Sequence, residues 1–145
     1  MSETYSVLRT WLTPILMDFL SKNTNIEYPQ KIFEQGLVTV RKENKILDHE
    51  RIAYMTANNN ANYTEAKQAM TAMLKALGIN DYTIEEAEQG CYISGRVGRI
   101  VINGVKLGWI GEIHPQVLEN WQIQTPVACF EINLNELFDA VNKKL

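Results

Sequence analysis

From Arg96 to Ile113 the chain reads RVGRIVINGVKLGWIGEI, two apolar-rich runs joined by Asn103-Gly104. A two-residue type I′ turn needs positive φ at both central positions, and Asn-Gly supplies them at low cost. The stretch therefore reads as a β-hairpin and commits the chain to an antiparallel sheet. Counting outward pairs Ile102 with Val105, Ile100 with Leu107 and Gly98 with Trp109 on one face. Trp109 would then cover the bare backbone of Gly98. The other face pairs Val101 with Lys106, Arg99 with Gly108 and Val97 with Ile110, a mixed set that suits a sheet with one face on a core.

The remaining elements follow from period and punctuation. Residues 5–12 lead into a helix capped by Thr13, with Pro14 at its first position and its end near Lys22. Ile15, Leu16, Phe19 and Leu20 form its apolar stripe. Residues 30–40 read as a strand with Ile32, Glu34, Gly36, Val38 and Val40 on one face, Gly36 marking a bulge or a close backbone approach. The charged stretch from Arg41 to Glu50 reads as a solvated turn, with a second strand over 51–57. Asn62 and Glu65 have capping-box spacing. The helix they open carries Ala66, Ala69, Met70, Met73, Leu74 and Leu77 and is closed by Gly78. Residues 82–88 are a further strand candidate. His114-Pro115 opens a short helix through Trp121, and Val127 to Asn133 is a strand. Asn133 and Glu136 repeat the capping spacing before a last helix with Leu134, Leu137, Phe138 and Val141. Antiparallel connections dominate, so the fold class is α+β, an antiparallel sheet flanked by helices.

Composition narrows the function classes. At 145 residues the chain is expected to be one domain, 1–145. A hydrophobic fraction of 46% builds a core and argues against disorder. The net charge of −3 argues against a dedicated nucleic-acid binder. No run reaches the roughly 18 apolar residues of a membrane span, and the N-terminus lacks a signal-peptide pattern. Cys91 and Cys129 stand far apart without a CxxC, which fits a reducing cytoplasm.

Catalytic motifs are absent. Glu112 and His114 would share a strand face, but structural zinc sites show tighter ligand clusters. His114 reads instead as a helix-start residue and His49 as a solvent-exposed one. Ser94-Gly95 reads as a turn, because no GxSxG or base accompanies it. The glycines of GCYISGRVGR precede a strand and lack the GxGxxG order, and Arg96 and Arg99, at i and i+3, face opposite sides. The two cysteines read as small buried hydrophobes, and Met70 and Met73 as core. Glu34 and Glu131 each follow a Phe in an apolar strand. A carboxylate there is costly unless paired. Two readings stay open: paired carboxylates doing acid/base work, or each bound to an Arg or a backbone N–H.

Five stretches in this order carry a resemblance: SVLRTWLTPILMDFLSKN, YPQKIFEQG, the Asn-rich loop into its helix, GRVGRIVINGVKLGWIGEIHPQVLENW and PVACFEINLNEL. They resemble the beta subunit of phenylalanyl-tRNA synthetase in its archaeal and eukaryotic form, in the C-terminal part of the catalytic-like module. The resemblance implies a class II synthetase core without an active site. It implies no catalytic, cofactor or metal residues in this segment. It also implies a catalytic alpha subunit as partner, which uses ATP and Mg²⁺ to charge tRNA with phenylalanine in a heterotetramer with two copies of each subunit. tRNA would be reached through the holoenzyme, in the cytoplasm. Arg9, Trp11, Leu16 and Phe19 are the expected partner contacts. A working core of this class places an Arg on its motif 2 strand for the ATP α-phosphate. Here that strand reads Lys31-Ile32-Phe33-Glu34-Gln35-Gly36, and the terminal strand-to-helix element lacks its Gly-rich run and Arg. The chain could be a fragment, a subunit encoded in pieces or a freestanding paralogue that binds an amino acid or a protein.

Overall fold

Alternation of inward and outward residues builds one six-stranded sheet, which a computed structural model describes over residues 11–142. In chain order the elements are α1 (Thr13–Lys22), β1 (Gln30–Lys42), β2 (Lys45–Ala57), α2 (Tyr63–Ala76), β3 (Thr83–Glu86), β4 (Tyr92–Ile102), β5 (Val105–Ile113), α3 (Pro115–Asn120), β6 (Val127–Asn133) and α4 (Leu134–Asn142). All pairings are antiparallel, and the strand order is β1-β2-β6-β5-β4-β3. The α+β expectation and the element order hold.

The sheet buries both faces. On the first, Ala53, Met55 and Ala57 of β2 and Val127 and Cys129 of β6 pack with Leu16, Met17 and Leu20 of α1, and α3 adds Val117 and Leu118. On the second, Tyr54, Ala128, Phe130 and Ile132 pack with Met70 and Leu74 of α2 and Leu137 of α4. Phe33, Tyr54 and Phe130 form an aromatic row across that face, with centroids 4.8 and 5.5 Å apart.

Several expectations change. The charged stretch is not a turn: β1 and β2 run on as a solvated ribbon, joined by Glu43 and Asn44 at φ 52° and 63°. His49 consequently lies half-buried within β2 rather than in a loop. Gly36 pairs with Arg51 in an unbroken register, without a bulge. In α1 the buried set is Thr13, Leu16, Met17 and Leu20, spaced i, i+3, i+4, i+7, because Thr13 is drawn inward; Phe19 is 46% exposed. Leu77 and Phe138 are likewise exposed at helix margins, and Ala140 takes the inward place in α4.

The hairpin turn is as expected, with Asn103 and Gly104 at φ 51° and 79°. Its register slips by one residue beyond Lys106. Val101 opposes Lys106 but Ile100 opposes Gly108, which leaves Leu107 as the extra residue of a β-bulge. Trp109 therefore opposes Arg99, and Gly98 lies on the other face, where Ile84 covers it. The slip is enforced at Gly108: a Cβ there would overlap the Glu131 carbonyl oxygen and sit 3.0 Å from Ile132 Cα. Only glycine lets β6 come this close.

Local signals close the helices. The Asn62 side chain accepts from Glu65 N at 2.9 Å, and Asn133 from Glu136 N at 3.0 Å. Gly78, at φ 79°, ends α2 with the Ile79 N–H donating to Leu74 at 2.8 Å.

Candidate functional site

Register sets a single row across the first face of the sheet. Glu34 opposes Ala53, Ala53 opposes Glu131, Glu131 opposes Trp109 and Trp109 opposes Arg99. Glu34 and Glu131 are thus two strands apart, roughly 10 Å at strand spacing, with Ala53 between them. They do not form an acid/base pair.

Glu131 is the centre of the row and is 1% exposed. Its Oε1 accepts from Thr13 N and Thr13 Oγ1, each at 2.7 Å. Its Oε2 accepts from Leu12 N at 2.8 Å and from Arg51 Nε at 2.6 Å. A carboxylate out of water costs several kcal/mol, and here two backbone amides, a hydroxyl and a guanidinium offset that cost. The amides are those at the start of α1, which no carbonyl of that helix can satisfy. The helix start is thus capped from across the sheet. Leu12 takes the N-cap place without a side-chain bond, and Thr13 is not the local cap its sequence suggests. Glu34 is half-buried and makes no ion pair among the described residues. The Arg-or-amide reading therefore holds for Glu131 alone.

Arg99 and Trp109 complete the row. The guanidinium carbon lies 4.4 Å from the ring centroid. Burial holds this guanidinium below its usual pKa; Glu136 pulls it up and Arg51 pushes it down. The pair escaped the sequence reading because it depends on the slipped register. Arg96 lies on the opposite face, where it meets Glu112 at 3.0 Å.

The other candidates have structural duties. Glu112 also accepts from Tyr63 N at the start of α2, 2.9 Å away. His114 Nδ1 accepts from Gln116 N at 3.0 Å and caps α3. Ser94 donates to Glu88 at 3.1 Å from an irregular part of β4. Cys129 is buried with Sγ 3.9 Å from the Tyr92 hydroxyl, and burial pushes its thiol pKa upward. Burial also pushes the partly covered Cys91 up to about 11. Neither is an activated nucleophile. An open groove of about 680 Å³ beside α2 is lined by Tyr63, Lys67, Tyr82, Glu85 and Arg96 and lies apart from the Glu131 row. Of the expected partner contacts, Phe19 is exposed, Trp11 half-buried and Leu16 only 4% exposed within the core. Arg9 lies outside the described residues. No described helix is long and apolar enough to cross a membrane.

Sheet order, helix placement and the strand-to-helix passage from β6 into α4 define the fold of a class II aminoacyl-tRNA synthetase core. A solved pyrrolysyl tRNA synthetase from Desulfitobacterium hafniense shares it with a TM-score of 0.72 at 16% identity, over 90% of this chain and 48% of that one. The chain belongs to the family of the phenylalanyl tRNA synthetase beta chain CLM domain, whose profile matches residues 1–134. The phenylalanine–tRNA ligase beta subunit of Pyrococcus abyssi is 49% identical over 140 residues, 94% of this chain and 25% of that protein. That of Thermofilum pendens is 34% identical over 135 residues, 91% of this chain and 24% of that protein. The chain spans about a quarter of the length of these relatives.

Proposed function

We propose that the chain is a non-catalytic structural module of the beta subunit of a phenylalanine–tRNA ligase. In this reading it supports an alpha subunit that activates phenylalanine with ATP and Mg²⁺ and transfers it to tRNA. The assembly is a cytoplasmic heterotetramer, and tRNA meets this module through the holoenzyme. The outer side of α1, with Phe19 and the half-buried Trp11, is the proposed contact; Leu16 is spent on the core.

One observation supports the non-catalytic reading. The central carboxylate of the sheet, Glu131, spends its acceptors on α1 and on Arg51. The guanidinium next to it is thereby occupied, and the helix lies over the face. On β1, the strand that would hold an ATP phosphate, residues 31–36 carry no Arg, and Glu34 adds a negative charge that repels a nucleotide. At the β6–α4 passage, Asn133 is engaged as a helix cap.

Co-expression with the alpha subunit and the remaining beta segments tests this. The chain is expected to co-elute with alpha on a sizing column, and phenylalanylation is expected to require alpha. Separate elution with all segments supplied would contradict the assignment.

A further inference from the structure

Arg99 is a cation on the sheet without an anion. Among the described residues its Nε is buried and has no hydrogen-bond partner, and no carboxylate pairs with it. Polar groups so placed are normally satisfied, and a desolvated charge left unpaired is costly. The obvious partner on this face is unable to serve. Glu131 is 1% exposed and already holds Arg51, Thr13 and Leu12.

We propose that Arg99 and Trp109 form a binding shelf for a single carboxylate group. Trp109 lies beneath the guanidinium, and a stacked guanidinium keeps a fixed plane. A planar carboxylate meets such a fork edge-on with two parallel hydrogen bonds. Charge sets the valence: Glu131 is spent on Arg51, and Glu136 acts on Arg99 without forming an ion pair with it, so the shelf keeps one positive charge and takes one negative charge. A phosphate with two charges meets the repulsion of both glutamates. Both shelf residues are half-buried, so part of each stays open to an arriving group. The shelf is independent of the scaffold reading, since none of its residues belongs to the α1 contact.

The test is NMR on the ¹⁵N-labelled chain, following the Arg99 Nε–H and Trp109 indole N–H signals. Acetate and benzoate are the free carboxylates, a blocked glutamyl peptide carries the side-chain carboxylate, and inorganic phosphate is the comparison. Both signals are expected to shift saturably with a carboxylate. R99Q should abolish the response, and R99K, which keeps the charge but loses the fork, should weaken it about tenfold. Saturation by acetate or benzoate assigns a free ligand, and saturation by the peptide alone assigns an acidic side chain of a protein. Should R99Q fail to fold, R99K carries the test. A flat response to every carboxylate, an undiminished response in the variants, or phosphate binding as tightly as carboxylate would overturn the proposal.

Discussion

Thr13 gives both its amide and its hydroxyl to one oxygen of Glu131, each at 2.7 Å, across 118 residues of sequence. This contact fixes the start of α1, its rotation and its seat on the sheet. It also converts the only carboxylate buried in the sheet, among the described residues, from a reagent into a fastener.

E131Q keeps the shape of the side chain but loses the charge that Arg51 and the amides need. It should lower stability by about 3 kcal/mol, the range for breaking one side of a buried pair. Urea unfolding measures this. T13V should cost less, about 1 kcal/mol, because one neutral donor is removed while the amides remain. Equal stability of E131Q and wild type would show that α1 is held by apolar packing alone.

G108A should be among the most damaging single changes. The added methyl would meet the Glu131 backbone, which has no rotamer to give. Overpacking against backbone is expected to cost at least about 3 kcal/mol, or to prevent folding. Gly90 has open space around its Cβ position, so G90A should stay within about 0.5 kcal/mol. Comparable unfolding midpoints for the two variants would contradict the close β5–β6 approach.

Much of the fold was legible because its signals are local. Asn103-Gly104 sets a turn, Asn62 and Asn133 set helix starts, and Gly78 sets an end, each through atoms a few residues away. What failed was non-local. The slip at Leu107 answers to β6, which approaches Gly108 from far along the chain. The start of α1 is capped by Glu131, which no spacing rule reaches. The β1–β2 ribbon extends past the core, so its charged residues lack the apolar alternation that marks a strand. Of the candidate site, the Arg-or-amide fate of a sheet carboxylate was legible for Glu131. The Arg99–Trp109 pair was not, since it exists only in the slipped register.

N62A removes the side-chain acceptor that satisfies Glu65 N at the start of α2. It should cost about 1 kcal/mol in urea unfolding. The same substitution on a helix capped by another group would be near neutral, so a negligible loss would place the true cap elsewhere.

Alkaline pH should weaken the fold. The Cys91 thiol is pushed from 9.0 up to about 11 by burial, and Cys129, Tyr54, Tyr63 and Tyr92 are raised by the same cause. Below pH 9.0 the Cys91 thiol holds its proton in both states; from there to about 11 the unfolded chain loses it first. Unfolding is then favoured, and stability falls as pH rises through that window. Urea midpoints across it should drop for wild type and drop less for C91A. Parallel pH curves for the two proteins would remove Cys91 from the account.

The most direct test of the central claim is ATP–pyrophosphate exchange with phenylalanine and Mg²⁺, run on the chain alone and again with the alpha subunit and the remaining beta segments. The account predicts no exchange by the chain alone and full exchange in the assembly. Phenylalanine-dependent exchange by the isolated chain would contradict it, because a sheet whose central carboxylate is spent on its own helix would then be gripping a nucleotide.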